Sequence, residues 1–287
     1  MTEDPLAQTN PRIASILPPK WIPTPQQVTY VGQSLPQNPQ TSDKWSRIRE
    51  RGIVIPEVIG YSVEGRPLEV YRFGNGDRNL LIVAGIHGGY EWNTIALADE
   101  LIEYFKYNPN LIPPDVKLHI LRAYNPDGEA RAHNFLGRGN ANNVDLNRNW
   151  NVHWTSVLPR YRCWNIVRLS GGPYPVSEPE SKALMHFIVD TEFSALISYH
   201  SAGLGIFAGG IPSTDKSLDL AGAIAEISSY PYPPIDIGCD YTGTFIDWAA
   251  RIGIAAVDIE LSTHFYTDLE QNLRILETFL QWSPSTE

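Results

Sequence analysis

Cysteine is scarce in this chain: two in 287 residues, Cys163 and Cys239. That is too few for a disulfide framework, and the pair lacks metal-ligand spacing; two inert thiols are expected, with one bridge between them as the alternative. Long apolar runs are missing as well. The longest, Leu80 to Ile86, falls far short of the ~20 residues a membrane-crossing helix needs. Basic residues are outnumbered, with 22 Lys and Arg against 32 Asp and Glu, for a formal net charge of -10. Such a balance disfavours nucleic acid and anionic membrane surfaces as partners. It leaves anionic small substrates open, because a buried arginine can build a positive pocket inside an acidic protein. The start of the chain, Met1-Thr2-Glu3-Asp4-Pro5, is acidic where an export signal is basic, and no apolar segment follows. A soluble, cytoplasmic protein is the expectation.

What is present is ordinary globular composition, 43% hydrophobic and 19% charged, in a chain long enough for a substantial core. The first 40 residues differ, with eight prolines, six glutamines and four charged side chains. Residues 1–42 therefore read as a Pro/Gln-rich extension that cannot build a core alone and wraps along a main domain of residues 43–287. Asp43 is placed to cap a short helix carrying Trp45 and Ile48.

From Val54 onward strands and helices alternate. Val58–Ser62 and Leu68–Phe73 read as hairpin strands around Glu64-Gly65-Arg66-Pro67. Leu80–Ile86 is the continuous apolar run of a strand buried on both faces. Thr94–Tyr107 has helical spacing, Val116–Ala123 reads as a strand, and Asn125-Pro126-Asp127-Gly128 as a turn. Helices are expected over 178–189, 217–229, 244–252 and 269–282, and strands over 195–199 and 255–261. The pattern predicts a single α/β domain, a mixed, mostly parallel sheet with helices on both faces.

In such folds ligands gather beyond the carboxyl ends of the strands. His87, His200 and Glu260 each fall at or just past a predicted strand end. His87, Glu91 and His200 supply two imidazoles and a carboxylate, a set that holds catalytic zinc and leaves one position open for water. Glu260 is then the free carboxylate able to take a proton from that water. Asp258, two residues earlier on the same strand face, is its rival. Three residues separate His87 from Glu91, two of them glycines able to absorb an unusual backbone. The other histidines, His119, His133, His153, His186 and His264, read as strand, helix or loop residues, although His264 is close enough to Glu260 to border the site.

The order of these landmarks resembles the zinc carboxypeptidase family, the carboxypeptidase A-like group that includes bacterial murein-peptide amidases. The resemblance is carried by Gly60 to Leu68, the His87/Glu91 loop, Asn125-Pro126-Asp127-Gly128, Val144-Asp145-Leu146-Asn147-Arg148-Asn149-Trp150, Ser177-Glu178-Pro179-Glu180, Tyr199-His200-Ser201 and Glu260-Leu261. The family usually places two residues, not three, between its first histidine and glutamate. The resemblance implies one zinc per chain and hydrolysis of the amide bond next to a free C-terminal carboxylate. By position it implies that Asp145 orients His87 and that Asn147 and Arg148 grip the carboxylate. Arg138 would stabilise the oxyanion, with Arg131 as the alternative. Tyr241 would cover the substrate, and Ile246 would line the side-chain pocket, with Asp247 as its alternative. A zinc-dependent deacylase of N-acyl amino acids on the same fold would share every landmark. A non-catalytic binding protein would be expected to have lost ligands or base, and both are present.

Overall fold

The computed structural model describes residues 54–158 and 168–284. The expected extension, its boundary at residue 42 and the Asp43-capped helix lie outside these residues. The chain divides into two units, Met1–Ile55 and Pro56–Glu287. The second unit holds the sheet.

Seven strands form that sheet: β1 (Glu57–Tyr61), β2 (Pro67–Phe73), β3 (Arg78–Val83), β4 (Val116–Leu121), β5 (Phe193–Ser201), β6 (Ile206–Ala208) and β7 (Ala255–Leu261). Their order across the sheet is β1-β2-β4-β3-β5-β7-β6. The four central strands run parallel, and antiparallel pairs close both edges. The apolar run that marked β3 is fully buried from Leu80 to Ala84, as a strand covered on both faces requires. Around the sheet lie α1 (Trp92–Tyr107), α2 (Pro126–Arg131), α3 (Pro179–Thr191), α4 (Asp215–Ile227), α5 (Phe245–Arg251) and α6 (Leu269–Gln281).

The strand order positions the site. After β3 the chain passes through α1 to β4 on one side, whereas β5 and β7 join on the other. The loops beyond β3 and β5 therefore part, and the crevice between them is where α/β sheets bind ligands.

Several elements depart from the sequence expectation. Asn125-Pro126-Asp127-Gly128 is no simple turn but the start of α2, with Pro126 in the first turn and the Asn125 side chain accepting from the Gly128 amide at 2.9 Å. Strand β5 runs on through Ser201, so His200 sits inside it. The three-residue edge strand β6 has too little pattern to read. Cys239 is disulfide-bonded, which overturns the expectation of two free thiols. Nothing in local spacing could have signalled this; the chain's other cysteine, Cys163, lies outside the described residues. Among the described residues no helix is long and apolar enough to cross a membrane.

Candidate active site

His87 lies four residues beyond β3, at the head of a 3-10 turn over Gly88–Glu91. This turn accommodates the extra residue between His87 and Glu91. Gly88 has φ +46°, and a Cβ on Gly89 would lie 2.1 Å from the Ala132 carbonyl oxygen. The turn is thus pressed against the α2 segment in a way only glycine permits. Glu91 swings back, and its Oε1 comes within 2.7 Å of His87 Nδ1. His200 Nδ1 meets Glu91 Oε2 at 3.1 Å and His87 Nδ1 at 3.3 Å.

These three side chains are buried, at 3%, 2% and 3% exposure, and their ligand atoms all fall within 4.8 Å of one another. Two imidazole nitrogens and a carboxylate converging at one point of a cavity wall form a donor set that fits a zinc ion. The opposite ring nitrogens support the same reading. His87 Nε2 is 3.2 Å from Asp145 Oδ1 and 2.9 Å from Arg138 Nη2, and His200 Nε2 is 3.3 Å from both Ser198 Oγ and Asn147 Nδ2 and 3.5 Å from Asp258 Oδ1. Partners of this kind fix the tautomer and ring orientation of a ligating histidine. Burial opposes the Glu91 charge, but His87 and His200 outweigh it and hold the carboxyl below the usual range.

The segment 145–149 supplies the cationic side. Asp145 caps a 3-10 turn over Leu146–Arg148, its side chain accepting from the Asn147 amide at 3.0 Å. Asn147 Oδ1 accepts from the Phe245 amide at 2.9 Å, tying this turn to the start of α5. Behind both, Trp150 packs against Phe245 and Trp248 with ring centroids 4.9 Å and 4.5 Å away. Arg148 is half-buried, yet its only hydrogen-bond acceptor among the described residues is the Asn147 carbonyl, at 2.6 Å. Its guanidinium lies 5.4 Å from the centre of the Tyr241 ring. Most of its donor fork therefore faces the cavity unsatisfied.

Arg138 pairs with Asp145 at 3.1 Å and reaches Glu91 at 3.5 Å. Arg131, the alternative, turns away: it donates to the carbonyls of Leu136, Gly139 and Asn140 and braces the loop. Glu260 ends β7, and its Oε2 is buried with no partner. Burial, then the charges of Glu91 and Asp258 against those of His200 and Arg138, push its carboxyl up to about 8. A bound dication would oppose that rise.

His87, Glu91, His200, Asn147, Arg148, Arg138 and Glu260 line one cavity of about 500 Å³, together with Tyr241, Ile246, Tyr90, Asp258 and His264. Of the ten expected site residues, Asp145 alone is outside the lining, touching His87 from behind. Asp247 also reaches the wall, but its carboxylate is engaged by the Gly210 amide at 2.7 Å and by the Thr244 hydroxyl. His119 has the plain role expected of it, packed against Phe187 and Phe193 and bonded to Asn79. His264 lies in a loop, as expected, and also borders the cavity, the alternative its nearness to Glu260 had left open. Tyr90 and His153 were unforeseen in the lining.

The chain is similar to known proteins over most of its length. The family model described as zinc carboxypeptidase matches residues 47–267. Murein peptide amidase A of Escherichia coli K12 is 29% identical over 247 residues, covering 82% of this chain and 94% of that protein. The crystal structure of murein-tripeptide amidase from Escherichia coli O157 superimposes with a TM-score of 0.58 at 25% identity, over 83% of this chain and 97% of that one. Thrombin activatable fibrinolysis inhibitor shares the fold, with a TM-score of 0.67 at 21% identity over 84% of this chain and 72% of its own. With a mixed sheet of this order, a buried His–Glu–His set at its crevice and a family match across more than three quarters of the chain, the protein belongs to the zinc carboxypeptidase family.

Proposed function

We propose that this chain is a metallocarboxypeptidase that binds one zinc ion through His87, Glu91 and His200 and hydrolyses the amide bond preceding a free carboxylate. The observation that carries the reading is Arg148, a half-buried guanidinium with one acceptor among the described residues, facing the cavity beside the His–Glu–His set. A planar fork of donors suits a carboxylate and is costly to leave unpaired. When bound, the metal supplies a Lewis acid and lowers the pKa of water held on it.

The remaining work falls to side chains. Arg148 and the Asn147 amide hold the terminal carboxylate, and Tyr241 closes over it. Glu260 receives the proton of the attacking water on Oε2, the oxygen without a partner, and returns it to the leaving amine. Arg138 donates to the oxyanion as it forms. Asp145 keeps the His87 ring turned so that Nδ1 faces Glu91. Ile246 offers the substrate side chain an apolar wall, and Asp247, whose oxygens are occupied, leaves that character unchanged. Residues 43–287 would form the catalytic domain and 1–42 its extension.

The substrate class we favour is a short cell-wall peptide, supported by likeness to a murein peptide amidase along nearly all of that enzyme's length. For location, the cytoplasm expected from the sequence sits poorly with a disulfide at Cys239, since such bonds persist in oxidising compartments.

The test compares peptides that differ only in a free or amidated C-terminus. One charge-assisted hydrogen-bonded pair is worth roughly 1.5–3 kcal/mol, so Arg148→Ala should lower kcat/KM about ten- to a hundredfold on the free acid. Amidation should cost the wild type a similar factor and the variant little more. Equal cleavage of both peptides by the wild type would reject the exopeptidase reading.

A further inference from the structure

Loop 262–268, between β7 and α6, brings His264 into the cavity wall. Its ring lies against Tyr90, the centroids 4.8 Å apart. Its Nδ1 is 2.9 Å from Ser201 Oγ, and that hydroxyl is 2.9 Å from Asn93 Oδ1. The Asn93 amide is fixed in orientation, because Nδ2 donates to the carbonyls of Thr263 at 2.7 Å and Tyr266 at 2.9 Å. Oδ1 can then only accept, and it takes the single proton of Ser201. With that proton committed, Ser201 must accept from His264, so Nδ1 carries the hydrogen. In the neutral ring Nε2 is left as a bare acceptor. Burial, against Glu91 and with Arg138 and His87, lowers the imidazole pKa and favours this neutral form. Among the described residues Nε2 has no partner, and the ring borders the cavity.

The side of the site is also defined. Arg138 lies 5.5 Å from the centre of the Tyr90 ring on which His264 packs. Arg148 lies instead 5.4 Å from the centre of the Tyr241 ring. The carboxylate end of a substrate belongs with Arg148 and Tyr241. The acyl half must leave in the other direction, past Tyr90 and His264.

We propose that His264 is a substrate-binding residue on the acyl side of the scissile bond, its Nε2 accepting a hydrogen bond from an N–H on the residue that supplies the carbonyl. The inference rests on the carboxypeptidase reading and extends it to the half of the substrate that reading leaves open. It makes the enzyme selective for acyl groups bearing nitrogen next to the carbonyl-bearing carbon.

The experiment uses the zinc-loaded protein and two substrates sharing one C-terminal residue. One is an N-acetyl dipeptide, and the other replaces its acetylamino group by an alkyl group of equal length. His264→Phe keeps a ring against Tyr90 and removes the acceptor; His264→Gln restores an oxygen. The wild type should prefer the N-acetyl dipeptide by roughly three- to tenfold in kcat/KM, the worth of one hydrogen bond. His264→Phe should erase that preference by slowing the N-acetyl dipeptide alone, and His264→Gln should regain most of it. Zinc content by elemental analysis should match in all three proteins. Equal loss on both substrates, or loss of metal, in His264→Phe would reduce His264 to a support for its loop and overturn the proposal. Equal wild-type rates on the two substrates would overturn it while leaving the carboxypeptidase reading intact. A wild type that cleaves neither would overturn both.

Discussion

Behind the loop that carries Arg138, Asp145 and Arg148 sits a carboxyl group whose charge the fold resists. Glu180, in the first turn of α3, is fully buried. Its Oε1 accepts from the Val63 amide at 3.1 Å and its Oε2 from Asn140 Nδ2 at 3.2 Å, while the same Asn140 group donates to Glu178 at 2.7 Å. Burial raises its pKa from 4.5 to about 7, the backbone amides and Asn140 opposing and the Glu178 charge adding. The native state therefore holds a proton that the unfolded chain has already released between these values. Stability must fall as pH rises through that window, because the folded form binds more protons. At about 1.36 kcal/mol per pKa unit, the loss between pH 5 and pH 8.5 is roughly 2.5 kcal/mol. Glu180→Gln cannot ionise and escapes it. Whatever constant offset the substitution brings, the variant should gain on the wild type by about 2.5 kcal/mol across that range. Urea unfolding at a series of pH values measures the difference, and metal binding, common to both proteins, largely cancels. Stability differences that stay constant with pH would refute the reasoning.

Other outcomes are expected of the site and its frame. Glu260→Gln should retain zinc but lose about 10²–10⁴ of turnover, whereas His200→Ala should lose the metal itself; elemental analysis after dialysis separates the two. Gly89→Ala drives a Cβ to 2.1 Å from the Ala132 oxygen, so it should destabilise the fold by about 1–3 kcal/mol and weaken zinc retention, read by denaturant melts and metal content. With Cys239 in a disulfide, the denatured, unreduced protein should take up no thiol-alkylating reagent at that residue, and peptide mapping after reduction should find it labelled.

The sequence was most informative where chemistry coincides with a strand end. His87, His200 and Glu260 could be placed because apolar runs of β3, β5 and β7 stop beside them, and parallel strands bring such ends together. The choice between Arg138 and Arg131 was not legible. It depends on which guanidinium finds carbonyls and which finds Asp145, and those partners are set by tertiary folding. Ile246 and Asp247 could have been separated, since Thr244 and Asp247 form a capping pair at the start of α5 that occupies the aspartate. For His264 the sequence offers only nearness to Glu260, enough to place it by the site but not to assign it a part. The role proposed for it hangs on a hydrogen-bond chain through Ser201 on β5 and Asn93 on α1, two elements remote from it in sequence.

The pairing of β5 with β7 sets His200 directly opposite Glu260 in a parallel ladder. The backbone separation of the proposed metal ligand from the proposed base is thus fixed by strand spacing, about 4.8 Å between neighbouring backbones, and no loop can adjust it. A slip of one residue in either strand would turn its side chain to the far face of the sheet. The tolerances of the two halves of the site are therefore unequal. Residues 204–214 and 236–247, which rim the cavity from loops and short elements, can drift and admit new substrates. The ladder beneath them is a ruler that evolution can keep or abandon, but not stretch.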